Sequence, residues 1–144
     1  MNKTFWIGFV AVFVVAQIIG FLVHGLWLQG TYEALAAAFR PQTEISSMMW
    51  VMFLSSAVYL FLFCLIFTKG YEGKGIGEGI RYGLLIGLFF SIPMAVDQFI
   101  VYPITAELAA IWFITGVINF TILGAVFAAI YKPTNAATAA AATV

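Results

Sequence analysis

The sequence predicts an all-α protein, a four-transmembrane-helix bundle with the N- and C-termini cytoplasmic. The first observation is composition: 64% of the 144 residues are hydrophobic, 8% are charged, and the mean hydropathy is +1.07. A soluble domain carries about 25% charged residues, so a chain this apolar belongs in a lipid bilayer. The second observation is that four apolar segments each reach the roughly 20 residues that a spanning helix requires. They cover about residues 5–28, 45–68, 80–102 and 108–131.

These four segments make one domain. We expect helices rather than strands because the bilayer core has no water to satisfy exposed backbone groups. The first segment begins like a signal peptide, but its apolar run continues to Leu28, well beyond the roughly 7–15 residues of a signal core. The prediction is therefore a retained helix, a single four-helix membrane domain over residues 1–133, and a low-complexity alanine and threonine tail over residues 134–144.

The distribution of basic residues predicts the orientation. Four spanning helices place both termini on one side of the membrane, together with the loop between the second and third helices. Basic residues accumulate on the cytoplasmic side of membrane proteins. The side with the termini holds five of them and the other side holds only Arg40, so we expect cytoplasmic termini. The five are Lys3, Lys69, Lys74, Arg81 and Lys132.

Small residues recur at every fourth position of the third segment and in shorter groups elsewhere. This spacing places them on one helix face, where two helix backbones can approach closely. The face serves either the bundle within one chain or a seam between copies, and the sequence leaves both interpretations open. The predicted packing residues are Gly75, Gly79, Gly83, Gly87 and Ser91 in the third segment, Gly20 in the first, and Gly116 and Gly124 in the fourth.

A carboxylate, Asp97, interrupts the apolar third segment. It follows Arg81 by sixteen residues, which is about 24 Å of helix and places it in the outer part of the hydrocarbon core. Pro93 lies between them and is expected to kink the helix, and such a kink could turn Asp97 toward the bundle centre or toward a water-filled vestibule. The only histidine lies at a similar depth. The predicted polar patch, open to the outside, consists of His24, Asp97, Gln98, Gln17 and Asn119.

This patch has three interpretations. In the first, His24 and Asp97 form a structural pair that joins the first helix to the third. In the second, the patch binds an ion, a proton or a polar ligand, and in the third it is a cofactor site. An ionised aspartate at the bilayer centre costs roughly 2.5–3.5 kcal/mol on insertion scales, and the cost falls at shallower depth. A purely structural pair is therefore tolerable, and all three interpretations stand.

The residue inventory argues against catalysis. The chain has one cysteine, Cys64, and one histidine, whereas a zinc site takes three or four such ligands, so no metal and no cofactor is expected. The spacings of a nucleophile elbow or a phosphate-binding loop are missing, and the glycine-rich stretch GKGIGEG does not supply them. A net charge of zero gives no electrostatic footprint for nucleic acid. The sequence therefore predicts a protein that is not an enzyme.

Three stretches carry a resemblance that extends from about Gly20 to Pro133. They are LVHGLWLQGTYEALAAAFRP, YEGKGIGEGIRYGLLIGL and WFITGVINFTILGAVFAAIYKP, with the motifs His24-Gly25, Arg40-Pro41 and Glu78-Gly79 followed by Gly83. The chain resembles a domain-of-unknown-function family of small uncharacterised bacterial four-helix integral membrane proteins. The resemblance implies a four-helix fold in the bacterial cytoplasmic (inner) membrane, and it implies no activity. Asp97 lies outside the shared pattern.

Three functions are compatible with these observations. The first is a non-catalytic integral membrane protein, a packing or accessory subunit that forms a homo-oligomer or joins a larger membrane complex, with the lipid bilayer as its surroundings. The second is a small channel or carrier whose outward mouth is the patch around His24 and Asp97, which would require oligomerisation because four helices are few for a pore. The third is a haem- or pigment-binding protein that uses His24 as its ligand.

Overall fold

The computed structural model describes residues 1–133, and throughout that range the regular structure is helical, with no β-strand. The tail predicted for residues 134–144 lies outside the described residues. The chain begins with α1 (Lys3–Gly20), which continues as a π-helix (Phe21–Trp27). Short elements follow: α2 (Gln29–Ala34), a 3₁₀ turn (Ala36–Ala38) and α3 (Gln42–Ser47). Three long helices complete the fold: α4 (Met49–Lys69), α5 (Ile76–Val101) and α6 (Ala106–Ile130).

Four helices are long and apolar enough to cross a membrane. They are α1 with its π-helical extension, α4, α5 and α6, and they contain 25, 21, 26 and 25 residues. At about 1.5 Å per residue, each exceeds the roughly 30 Å thickness of a hydrocarbon core. Their bounds agree with the four predicted segments to within four residues. The prediction of an all-α chain with four long apolar helices is therefore confirmed.

Both ends of the described chain lie at the same end of the bundle. The Thr4 hydroxyl donates to the Lys132 carbonyl oxygen at 2.7 Å and accepts from the Lys132 amide at 3.1 Å. The side-chain amide of Asn2 donates to the same carbonyl at 2.6 Å. The loop that joins α4 to α5 lies here as well. We call this the terminal end, and we call the opposite end, with residues 28–48 and 102–105, the distal end.

Helices α5 and α6 form the closest pair, because glycines on each leave room for the backbone of the other. A methyl group added to Gly83 would collide with the Phe120 carbonyl oxygen, and one added to Gly87 would stand 3.0 Å from the Val117 Cα. The small-residue face of the third segment is therefore used inside the chain. This α5–α6 seam consists of Gly79, Gly83, Gly87 and Ser91 on α5 and Gly116 and Gly124 on α6.

Two predicted packing glycines lie outside the seam. Gly20 has no atom within 4 Å of the place where its Cβ would be. Gly75 precedes α5 with a φ of +71°, a left-handed conformation that glycine adopts readily, so it serves the turn rather than the packing. Conversely, Gly8 was not predicted: a methyl group there would stand 2.8 Å from the Phe127 ring. Gly8 therefore marks the close approach of α1 to α6.

The terminal half of the bundle has an aromatic core. Phe5 of α1 and Phe67 of α4 both meet Phe127 of α6 edge-to-face, with ring centroids 5.8 Å and 5.5 Å apart, which is a preferred geometry for aromatic pairs. Helix α5 joins this core through Tyr82, whose hydroxyl donates to the Phe63 carbonyl oxygen of α4 at 2.5 Å. Aromatic rings therefore space α4 away from α5 and α6, whereas glycines bring α5 and α6 together.

The distal half of α4 has no such core. Every residue from Met49 to Ser55 is exposed, and Trp50 is 67% exposed. A second buried cluster does lie at the distal end, but its members come from the residue after the π-helix, from the loop before α6 and from the first turn of α6. Helix α4 is therefore joined to its neighbours mainly through its terminal half. The second cluster consists of Leu28, Ile104, Leu108 and Ala109.

Candidate polar site at the distal end

His24 bonds within its own chain to a tyrosine of α2. Its Nδ1 lies 2.6 Å from the Tyr32 hydroxyl, and the two rings are nearly parallel. The same hydroxyl accepts a hydrogen bond from Trp112 Nε1–H at 2.9 Å. Because an indole nitrogen only donates, the phenol proton is available for His24 Nδ1. When the phenol donates to Nδ1, the imidazole proton is on Nε2.

Packing at the distal end positions Tyr32. The segment after the π-helix folds over the bundle, and Leu28 and Leu108 are buried beneath it. The Phe39 ring meets the Tyr32 ring edge-on with centroids 5.5 Å apart. Burial raises the pKa of Tyr32, and the hydrogen bond from Trp112 opposes the rise. The phenol is therefore protonated near neutral pH and has a proton to donate.

A π-helix carries the histidine. Residues Phe21–Trp27 form this wider helix at the distal end of α1, where the sequence predicted one continuous helix. π-helical turns are rare and occur frequently at functional sites. His24 is exposed on the bundle surface within this turn. The combination of an unusual backbone and an exposed imidazole makes this turn the first part of the candidate site.

Asp97 lies on the surface of the distal half of α5. Helix α5 runs through Pro93 without interruption, and Asp97 is exposed, so the predicted turn of this carboxylate toward the bundle centre is wrong. Its surroundings are apolar, with Val96 exposed and Ile100 74% exposed. Within residues 1–133 the carboxylate makes no hydrogen bond and no ion pair. Its oxygens therefore keep their full capacity to accept hydrogen bonds.

The structure does not join His24 to Asp97. Helices α1 and α5 both pack against α6 and barely touch each other, and no hydrogen bond links the two side chains in the described part of the chain. The intrachain pair that the sequence suggested is therefore replaced by the bond to Tyr32. The sequence did not reveal the contacts that link His24 to Tyr32 and Tyr32 to Trp112. Tyr32 and Trp112 are 80 positions apart, and only the fold brings them together.

The other three residues of the predicted patch are not gathered into one site. Gln17, Gln98 and Asn119 are each partly buried, and in residues 1–133 no hydrogen bond joins them to one another, to His24 or to Asp97. The Oδ1 atom of Asn119 is enclosed and has no hydrogen-bond partner in that range. Leaving such an acceptor unsatisfied costs about 1–3 kcal/mol. Asn119 therefore has a buried acceptor that no donor of the described residues reaches.

An apolar groove runs beside Asp97 between α5 and α6. Its volume is about 360 Å³, and its lining carries no ionisable side chain. The groove begins where the glycines of the α5–α6 seam are followed by alanines and larger side chains. Any molecule seated in it would be held by apolar contact rather than by charge. The groove is lined by Ala95, Val96 and Phe99 of α5 and by Ala109, Ala110 and Phe113 of α6, among others.

A buried carboxylate organises the terminal end. Glu78 is 6% exposed and accepts hydrogen bonds from the backbone N–H groups of Glu72 at 2.7 Å and Lys74 at 2.8 Å. The Lys74 ammonium lies 2.5 Å from the Glu72 carboxylate and lowers the pKa of that carboxyl. These contacts shape the glycine-rich loop before α5. Glu78 therefore has a structural role, which the sequence alone did not assign.

The side chains able to ligate a metal ion are dispersed over the described residues. Residues 1–133 contain no group of three or more His, Cys, Asp or Glu side chains placed to hold a metal ion. Cys64 is buried in the terminal core. His24 would have only Nε2 to offer a haem iron, since Nδ1 is bound to Tyr32. The interaction that His24 makes at the surface of this apolar bundle is a hydrogen bond.

Comparison with known proteins gives no match to a protein-family model, to a curated protein or to a solved structure. The resemblance to a bacterial four-helix family therefore stays an expectation that rests on motifs. Function is to be inferred from the geometry of this chain alone. That geometry consists of four long apolar helices, a core closed at the terminal end, and two separate polar groups on the distal surface.

Proposed function

We propose that the chain is a non-catalytic integral membrane protein of the bacterial cytoplasmic membrane, and that it functions by assembly, as a homo-oligomer or as an accessory subunit of a larger membrane complex. The observation that carries this proposal is the exposure of His24 and Asp97 at the bundle surface. Ionisable groups inside a membrane normally face protein or water. Polar groups on an otherwise apolar surface therefore call for a partner outside the chain.

The exposed apolar surface supports a membrane location. Each of the four long helices exposes large apolar side chains, and soluble monomers rarely expose contiguous apolar patches larger than a few hundred Å². A bilayer covers such a surface with its acyl chains. Examples are Ile18 on α1, Leu54 on α4, Phe89 on α5 and Ile114 on α6.

The basic residues support cytoplasmic termini. Five of the six Lys and Arg residues lie at or near the terminal end, on the first turn of α1, the last turn of α4, the following loop, the start of α5 and the residues after α6. The sixth, Arg40, lies in the distal connecting segment. The positive-inside rule then assigns the terminal end to the cytoplasm. In this orientation His24 and Asp97 lie toward the outer leaflet.

The packed core favours assembly over conduction by a single copy. Leu60, Leu123 and Phe127 are completely buried between the helices of the terminal half, so that half of the described bundle is filled by side chains. A channel or carrier formed by several copies is the second candidate. It is favoured by the enclosed Asn119 Oδ1 that lacks a donor within residues 1–133, because a passing ion or water would supply the missing bond.

Native mass spectrometry of the chain in nanodiscs or mild detergent tests the proposal. We expect a defined homo-oligomer or a stoichiometric complex, and a lone monomer under these conditions would contradict it. Replacing Asp97 by alanine should reduce the assembled fraction, because it removes the exposed acceptor. The matched control is Ile100→Ala, one helical turn away and 74% exposed, which should leave assembly intact.

The same preparation separates the two candidates. Reconstituted into liposomes, an assembly subunit carries no ion or proton flux above the level of empty vesicles. A flux that Asn119→Leu abolishes while the oligomer mass is unchanged would instead identify the channel or carrier.

A further inference from the structure

Two exposed side chains of the distal half have hydrogen-bonding capacity that the chain does not use. His24 uses Nδ1 for Tyr32, and within residues 1–133 its Nε2 has no partner. Asp97 has no partner at all in that range. One group has a donor to offer and the other has acceptors. Their chemistry is therefore complementary.

The two groups lie at the same level of the bundle. Trp112 of α6 is the residue that reaches the Tyr32 hydroxyl and, through it, His24. Ala109 and Phe113, on either side of Trp112, line the groove with Val96, the residue that precedes Asp97. The same turns of α6 therefore lie next to both His24 and Asp97. A rigid neighbouring copy in the same membrane, at the same depth, presents each group at the height of the other.

The two groups lie on different flanks of α6. The π-helix that carries the histidine continues α1, which packs against α6 and α4, whereas α5 packs chiefly against α6, and α1 and α5 barely touch. His24 and Asp97 are thus held apart within one chain while both face away from its core. Two complementary patches on different flanks define a head-to-tail contact.

We propose that His24 of one copy donates from Nε2 to the Asp97 carboxylate of a second copy, and that this bond fixes a head-to-tail interface within the membrane. The inference deepens the proposed function and rests on it. Lipid acyl chains offer no donor to Asp97, and the distal cation Arg40 already contacts Glu44 at 3.5 Å. The second copy brings the donor at the required depth, since the chains are identical.

The hydrogen-bond chain within each copy prepares the donor. Trp112 donates to Tyr32, and in the tautomer in which Tyr32 donates to His24 Nδ1 the imidazole proton is on Nε2. A carboxylate can then accept a hydrogen bond from Nε2–H, and neither the imidazole nor the carboxylate has to gain or lose a proton. Because every copy carries both groups, successive contacts repeat around a closed ring when the rotation between copies closes.

Cross-linking between differently tagged chains tests the geometry in native membranes. In a Cys64→Ser background, His24→Cys and Asp97→Cys chains are co-expressed and treated with a short bifunctional methanethiosulfonate, because a histidine–aspartate bond spans more than the roughly 3.8 Å between the Cβ atoms of a disulfide. We expect cross-linking between the two variants and little within either variant alone. The control pairs His24→Cys with Val96→Cys, the position before Asp97 on α5, which is rotated from it by about 100°, and this pair should cross-link weakly.

A double-mutant comparison tests the bond itself. Interhelical hydrogen bonds in membranes have strengths that correspond to a roughly threefold to thirtyfold change in association. His24→Leu and Asp97→Leu should each weaken assembly in that range, and the double variant should be no weaker than the stronger single effect. Additive losses would show that the two side chains act separately and would overturn the pair.

The outcomes distinguish the two proposals. If native mass spectrometry shows a monomer, the proposed function fails and the pair fails with it. If an oligomer is present but cross-links form equally between two His24→Cys chains or between two Asp97→Cys chains, the interface is symmetric and only the head-to-tail inference is wrong. An oligomer without cross-links from either position likewise overturns the head-to-tail inference alone.

Discussion

At the scale of single residues, the buried carboxylate of Glu78 shows how one side chain fixes a loop. Its two oxygens accept from two backbone N–H groups of the segment that precedes α5. Those N–H groups precede a helix start at which Gly75 has a positive φ, so few regular backbone partners are available to them. A charged acceptor forms stronger hydrogen bonds than a neutral one. Glu78 is therefore expected to hold the loop in place.

Replacing Glu78 by glutamine should destabilise the protein by about 1.5–3 kcal/mol, the range for hydrogen bonds to charged groups. The amide oxygen still accepts, but the amide nitrogen would face a second N–H donor. The free energy of unfolding in mixed micelles measures the loss, and amide hydrogen exchange of residues 72–74 should quicken.

The control for this prediction is Glu44→Gln. Glu44 forms an exposed pair with Arg40 at 3.5 Å, and exposed pairs contribute about 0–1 kcal/mol. Unchanged hydrogen exchange in the loop of the Glu78 variant would show that its carboxylate does not hold the loop.

At the scale of helices, the bundle uses two packing modes. The α5–α6 seam brings backbones together through glycines, whereas α4 is joined through rings such as Phe63 and Phe67, which contact Tyr82. Lipid is as apolar as the side chains, so membrane helices gain from close contact rather than from leaving water. Helices α5 and α6 are therefore expected to separate last, and the distal half of α4 to be the most mobile long segment.

Gly83→Ala should destabilise the bundle by about 1–3 kcal/mol, the usual cost of overpacking. The added methyl group would collide with the Phe120 carbonyl oxygen, which is backbone and cannot rotate away. This cost opposes the roughly 1 kcal/mol by which alanine favours a helix over glycine. The measurement is the unfolding free energy by steric trapping in bicelles.

The matched control is Gly20→Ala on α1. Nothing lies within 4 Å of the new methyl group, so only the helix preference remains, and the variant should be as stable as the parent or slightly more stable. Equal losses in the two variants would contradict the account of the seam.

At the scale of the whole molecule, charge and shape give the bundle two unlike ends. The terminal end has a closed aromatic core and five basic residues, and the distal end has the His24–Tyr32 pair and one basic residue. This asymmetry is the basis of the proposed orientation.

Cysteine labelling tests that orientation. In a Cys64→Ser background, Arg40→Cys should react with a membrane-impermeant maleimide in intact spheroplasts, whereas Lys74→Cys should react only after lysis. Both native side chains are largely exposed, at 70% and 62%, so access to the aqueous phase decides the reaction. The reverse pattern would place the termini outside.

Much of the fold follows from the sequence because its signals are local. A run of about 20 apolar residues specifies a spanning helix by its length alone, and the bounds of the four long helices were predicted to within four residues. Spacing by four also identified Gly79, Gly83 and Gly87. Gly75 and Gly20, which the same rule selected, have no atom of the described chain within 4 Å of an added methyl group, because spacing shows which residues share a face and not which face has a neighbour.

The sequence by itself determined the number, the length and the apolar character of the helices, and it determined how far along them His24 and Asp97 lie. Only the tertiary structure decided their partners. Helix α6 stands between α1 and α5, which separates the two side chains, and the folded α2 brings Tyr32 to His24. The physical reason is that the position of a residue along its helix follows from counting residues in one segment. A hydrogen bond depends instead on which helices are adjacent and how each is rotated.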